Sequence, residues 1–158
     1  MSTVSYDNRG NPDPRPVIPA LGRYYGLASD VAYLIVRVTA GLWLLPHGWG
    51  KVSVGAQAVA TNVLARRGIE PALFWAYVLM ILETLGGVMI VIGLFTRPVA
   101  LLLFIEFLVI VFKAHLPAGW SPAAGGAEFV AMWCLIMLAI LLRGGGPWSV
   151  DRKLGWEV

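Results

Sequence analysis

Residues 37–51 read RVTAGLWLLPHGWGK, from Arg37 to Lys51. The stretch is apolar enough for a helix in lipid, yet it opens on an arginine and closes on Pro46-His47-Gly48 and Lys51. Arg37, Gly41, Leu44, Gly48 and Lys51 recur at alternating three- and four-residue spacings, which lines them up on one face of a helix. Small residues on that face let a neighbouring backbone approach closely. The charge needs a partner there too, because an ionised side chain at the bilayer centre costs about 3 kcal/mol. The stretch therefore predicts a membrane helix packed against another that carries an acid.

The remainder of the chain agrees with lipid as the solvent. Of its 158 residues 58% are hydrophobic and only 13% charged, against roughly 25% charged in a soluble domain. Mean hydropathy is +0.74. Short loops between long apolar segments leave room for one domain. The net charge is +3, but the basic residues stand singly at span ends, as membrane topology uses them, so nucleic acid is not an expected partner. Cys134 is the single cysteine, which excludes an intrachain disulfide and a C-x-x-C redox pair. The start, MSTVSYDNRGNPDPRP, lacks the apolar core of a cleavable signal peptide.

Residues 1–29 read as a Pro-rich, disordered lead ending in an interfacial segment with Tyr24 and Tyr25. Four spans are expected after it, at about 30–52, 71–94, 98–116 and 127–142. About 20 apolar residues cross the hydrocarbon, and the last span is the shortest. Asp30 is the expected N-cap of the first span, Pro71 opens the second in a first-turn position, and Pro98 starts the third. Between the first two, AQAVATNVLARRG reads as a short surface helix with Gly68 as its C-cap. Ser149–Leu154 reads as a short polar helix after Gly144, Gly145, Gly146 and Pro147. The expected fold is an all-α membrane protein, an antiparallel four-transmembrane-helix bundle. Seven Lys and Arg residues fall on the side of both termini and four on the other, which favours cytoplasmic termini.

Arg37, Glu83 and Glu106 form the candidate buried polar core. Arg37 is the expected partner of Glu83, and Glu106 is expected to face Arg37 or to carry a proton. His47, Lys51, Lys113, His115 and Glu128 should gather near the opposite, outer membrane face. Imidazoles there suit proton exchange with a quinol headgroup; hydrogen bonds to loop carbonyls explain them as well. No H-x-x-x-H or H-E-x-x-H spacing supports a metal site. The tryptophans read mostly as interfacial anchors, with Trp49 and Trp120 as possible pocket walls.

The order of motifs resembles the DoxX family of membrane proteins. Arg37, Gly41 and His47-Gly48-x-x-Lys51 are similar to the family's first helix. Glu83-x-x-Gly86-Gly87 and Gly93-Leu94-x-Thr96-Arg97 are similar to its second helix and turn. His115, Gly125-Gly126-x-Glu128 and Gly144-x-Gly146-x-x-Ser149-x-Asp151 continue the likeness, which covers about 30–154. The resemblance implies a four-helix inner-membrane protein associated with quinone or redox complexes. The lone Cys134 departs from related quinone-linked enzymes that use cysteine pairs, so thiol–disulfide chemistry is not carried over.

The expected function is thus a redox-associated, quinone-linked subunit or accessory of a membrane oxidoreductase complex. Its partners would be the lipid bilayer, other membrane or periplasm-facing redox proteins, and a second copy of the chain. No self-contained catalytic motif is present. The rival readings are a non-catalytic membrane scaffold or assembly factor and a small proton-coupled transporter.

Overall fold

A computed structural model describes residues 17–156. Most of the lead expected to be disordered therefore lies outside the described residues. Among the described residues every regular element is helical. Seven α-helices follow one another: α1 (Gly22–Val54), α2 (Ala56–Val59), α3 (Ala72–Ile81), α4 (Gly87–Ile92), α5 (Thr96–Ile110), α6 (Glu128–Arg143) and α7 (Val150–Leu154). Wider π turns join α3 to α4 at Leu82–Gly86 and extend α5 through Val111–His115. Among the described residues, three helices are long and apolar enough to cross a membrane: Tyr24–Val54, Ala72–Ile92 and Thr96–Ala118. α6, with 16 residues, rises only about 24 Å at 1.5 Å per residue.

α1 begins eight residues before Asp30, so Asp30 is not its N-cap. Nothing between Gly22 and Ser29 stops a helix except Gly26, whose cost is about 1 kcal/mol. Asp30 instead lies 3.7 Å from Arg143 at the end of α6. The other expected helix ends agree better with the structure. Gly68 takes φ +68° and its N–H bonds the Ala65 carbonyl. Ser149 caps α7 by accepting from the Arg152 N–H at 3.1 Å.

The stripe on α1 is the seam of the fold. A β-carbon on Gly41 would stand 2.6 Å from the Gly87 oxygen and 2.8 Å from the Val91 nitrogen. One on Gly48 would meet the Thr84 nitrogen at 2.7 Å. A step up α1 thus matches a step down the second helix, so the two run antiparallel with backbones in contact. Leu44 and Ala40 share this seam and join Ile90, Val99, Leu103, Met137 and Ile140 in the main core. α5 and α6 close that core from the other side. A second cluster lies where α2 folds back on α3: Ala56, Val59, Ala60, Leu64, Ala72 and Ala76.

Candidate functional site

Arg37 is 1% exposed, Glu83 4% and Glu106 7%, but they belong to two separate sites. The Arg37 guanidinium donates to the carbonyls of Ile90 (2.7 Å), Val91 (3.0 Å) and Trp148 (2.7 Å). It serves the last carbonyls of α4, which have no partners within the helix. The expected Arg37–Glu83 pair is therefore not formed. The register explains why: with Gly41 opposite Gly87, Arg37 falls opposite Ile90 and Val91, two turns beyond Glu83. Glu83 falls opposite the other end of the stripe.

Around Arg37 the chain builds a clasp at one end of the bundle. Gly93, at φ +72°, lets the turn close against the arginine; a β-carbon there would stand 2.5 Å from Arg37 Nη1 and from the Ser149 Cβ. The Asp151 N–H bonds the Gly93 carbonyl at 2.9 Å. The Asp151 carboxylate accepts from Phe95 N (2.7 Å), Thr96 N (2.8 Å) and Thr96 Oγ1 (2.7 Å). An acid from the C-terminal segment thereby caps the N-terminus of α5, where a negative charge is favoured. Thr96 and Asp151 stood in the sequence only as parts of the family-like motifs, without a role, and the Trp148 carbonyl had no signal at all.

Fourteen residues along α1 from Arg37, about 21 Å by helix rise, Lys51 Nζ donates to Glu83 Oε2. Lys51, half-buried near that end of α1, reaches inward to the buried Glu83. Glu83 sits within the π turn Leu82–Gly86, a distortion that often marks functional positions. Glu106 lies across from this pair on α5, with Glu83 and Lys51 as its charged neighbours. Both Glu106 oxygens are buried outside hydrogen-bond geometry. The expected contact of Glu106 with Arg37 is likewise absent, because Arg37 is bound at the other end of the seam.

The remaining outer-face candidates are more exposed. His47, Lys113 and Glu128 stand at the surface. His115 donates from Nδ1 to the Gly125 carbonyl at 2.8 Å, the loop-tethering role that was the plainer of its two readings. No three His, Cys, Asp or Glu side chains converge in a metal-binding group among the described residues. Trp133 stacks with Trp43 at 6.0 Å between centroids, so this tryptophan packs helices together and departs from the anchoring role.

Beside Lys51 and Glu83 the seam of α1 and the second helix opens into an apolar groove of about 720 Å³. Leu42, Leu45, Pro46 and Trp49 form one wall, and Thr84, Leu85 and Val88 the other. Pro46 has no N–H, so the Leu42 carbonyl lacks its helical donor four residues on. The groove was foreshadowed only by Trp49; the missing bond at Pro46 is readable from sequence once the stretch is taken as helix.

Long apolar helices, a tight glycine seam and ionisable side chains sealed inside define an all-helical membrane protein with a buried polar centre. The chain belongs to the DoxX family, whose model matches residues 32–116. That match includes Arg37, Lys51, Glu83 and Glu106. Relatives are spread across bacteria. An uncharacterized protein of Haemophilus influenzae is 29% identical over 46% of this chain and 57% of its own length. The Bacillus subtilis protein named "Putative oxidoreductase CatD" is 29% identical over 77% of this chain and 86% of its own. The inner membrane protein YphA of Escherichia coli is 25% identical over 82% and 94%. No solved structure matches the chain at comparable significance.

Proposed function

We propose that this chain is a redox-associated subunit of the inner membrane whose Lys51–Glu83–Glu106 centre exchanges a proton with a quinone in the neighbouring groove. The observation that carries this reading is Glu106. Its carboxyl is buried, its oxygens lie outside strict hydrogen-bond geometry, and it shares its surroundings with the carboxyl of Glu83 in an existing ion pair. Without a proton it would be an uncompensated charge in lipid, which is costly. With one, it is a proton donor held ready beside Glu83. The oxidoreductase name of the Bacillus subtilis relative supports the same direction.

The residues of the groove fit a flat ring with a hydrocarbon tail. The groove's walls are apolar, the Leu42 carbonyl offers an acceptor and Trp49 an indole N–H. A quinone, when bound, would supply two-electron carrier chemistry. Trp49 and Leu85 would position the ring, the Leu42 carbonyl would accept a hydroxyl, and Glu83 and Glu106 would hold a proton behind the Thr84 wall. Electrons are assigned to a partner oxidoreductase, since Cys134 has no second thiol to pair with. We assign α6 as a fourth, short span, with a bilayer thinned locally to match it. Both termini are then cytoplasmic, with the Arg37 clasp at the inner face and Lys51 towards the outer.

A non-catalytic scaffold is the second reading, favoured by Arg37 and His115 being bound to backbone carbonyls. Purification of the whole protein in mild detergent, with quantification of extracted quinones, separates the two. Quinone retained by the wild type and reduced in Leu85→Trp, which fills the groove, supports the proposal. Quinone no higher than in an unrelated membrane protein prepared alongside contradicts it.

A further inference from the structure

On α1 no Asp, Glu, Lys, Arg or His stands between Arg37 and His47. The same holds between Glu83 and Gly93 on the second helix, between Arg97 and Glu106 on α5, and between Glu128 and Arg143 on α6. The interior between the Lys51–Glu83–Glu106 centre and the clasp is filled instead by Leu44, Ile90, Leu103, Met137 and Ile140, all buried. Polar side chains at its edge are engaged elsewhere. The Thr84 hydroxyl donates to the Met80 carbonyl, back towards the start of α3, and the Cys134 thiol is directed at the Phe104 carbonyl at 3.9 Å. Interior space lined by apolar groups stays dry, and an ion in it is costly. From Glu106 to Thr96 this barrier measures about 15 Å by helix rise.

The opposite side of the centre is open by comparison. α1 ends at Val54, one turn past Lys51. The Lys51 side chain keeps 24% of its surface exposed, against 6% for the Glu83 it binds. A β-carbon on Gly50 or on Gly55 would meet nothing within 4 Å, so neighbouring helices leave this part of the chain uncovered. On α5 and its π extension, Lys113 stands exposed two turns beyond Glu106. Polar groups thus continue from the centre away from the clasp, and none continues towards it.

We propose that the Lys51–Glu83–Glu106 centre exchanges protons only with the aqueous phase at the end of the bundle opposite the clasp, with Lys51 as the group that meets it. This rests on the centre being proton-exchanging and adds the side from which it is reached. The Lys51 ammonium has three donors on a flexible stem, so it can bond Glu83 and water in turn. Leu103 and the residues packed on it keep the clasp side out. The charged neighbours of Glu106 are Glu83 from the second helix and Lys51 from α1, and α6 brings no charged side chain to this layer. Protons taken up or released at the groove are then drawn from, or delivered to, one side of the membrane.

The test uses the full wild-type chain in proteoliposomes sorted by orientation, those presenting the clasp outward being captured through a C-terminal tag. Dicyclohexylcarbodiimide, an apolar reagent, reacts with carboxyls that carry a proton, and mass spectrometry locates the label on Glu106 or Glu83. Impermeant buffers set the pH on each side separately. The labelling rate should fall as the pH opposite the clasp is raised, by up to about tenfold per pH unit, and stay level when only the clasp side is changed. Labelling that follows the clasp side, or both sides alike, overturns the inference while leaving a proton-exchanging centre in place. Labelling that is absent, or the same at every pH on both sides, contradicts that centre and the inference with it.

Discussion

Lys51 Nζ is bonded to Glu83 Oε2 across the seam between α1 and the second helix, and Glu106 faces that pair from α5 with Glu83 as its carboxyl neighbour. One cation thus stands among two buried carboxyls. Removing it should leave Glu83 charged and unpartnered in lipid. Lys51→Met is expected to destabilise the protein by about 3–5 kcal/mol, whereas Lys51→Met with Glu83→Leu should recover most of that loss. Unfolding in mixed micelles measures both. A double variant as unstable as Lys51→Met would mean that the pair is not the origin of the effect.

The seam itself separates two glycines of one helix. Gly41→Ala drives a β-carbon into the Gly87 and Val91 backbone, and such overpacking costs about 1–3 kcal/mol or more. Gly50, on the same helix, has nothing within 4 Å of its added β-carbon. Gly50→Ala should stabilise by about 0.5–1 kcal/mol. Thermal denaturation of the two variants should move in opposite directions.

At the clasp, Asp151→Asn keeps one acceptor oxygen of two and removes the charge. The expected cost is about 1–2 kcal/mol, as for loss of a helix N-cap. Thr96→Val in the same background should add less than it does alone, because both changes break one network. A double-mutant cycle read by melting temperature checks this.

Much of this arrangement was legible in the sequence. The three-and-four spacing from Arg37 to Lys51 announced the seam, because glycines at helical intervals in an apolar run have few other uses. Gly68 announced the end it caps, and the short polar helix at Ser149–Leu154 was legible though the capping role of Ser149 was not. Arg37 was misleading for a physical reason: a buried arginine can be satisfied by backbone carbonyls, which carry no sequence signature. The choice between Lys51 and Arg37 as partner of Glu83 depended on helix register, which periodicity leaves open. The Asp151 cap spans 55 residues, beyond any local pattern. The start of α1 was misplaced because Asp30 resembles an N-cap, while its actual contact is with Arg143.

Pro46 offers a handle on the groove. Pro46→Ala restores the N–H that pairs the Leu42 carbonyl, so it is expected to stabilise α1, by up to about 3 kcal/mol. The same change withdraws the groove's acceptor, and quinone retention should fall. Stabilisation accompanied by unchanged retention would remove Leu42 from the binding account.

The most direct test of the central claim is infrared difference spectroscopy of the purified protein with and without a soluble quinone analogue such as decylubiquinone. A protonated-carboxyl band should be present, vanish in Glu106→Gln while the protein stays folded, and shift when the quinone is added. A band that is absent from the wild type, or one that is the same with and without quinone, would contradict a proton-exchanging centre at Glu106.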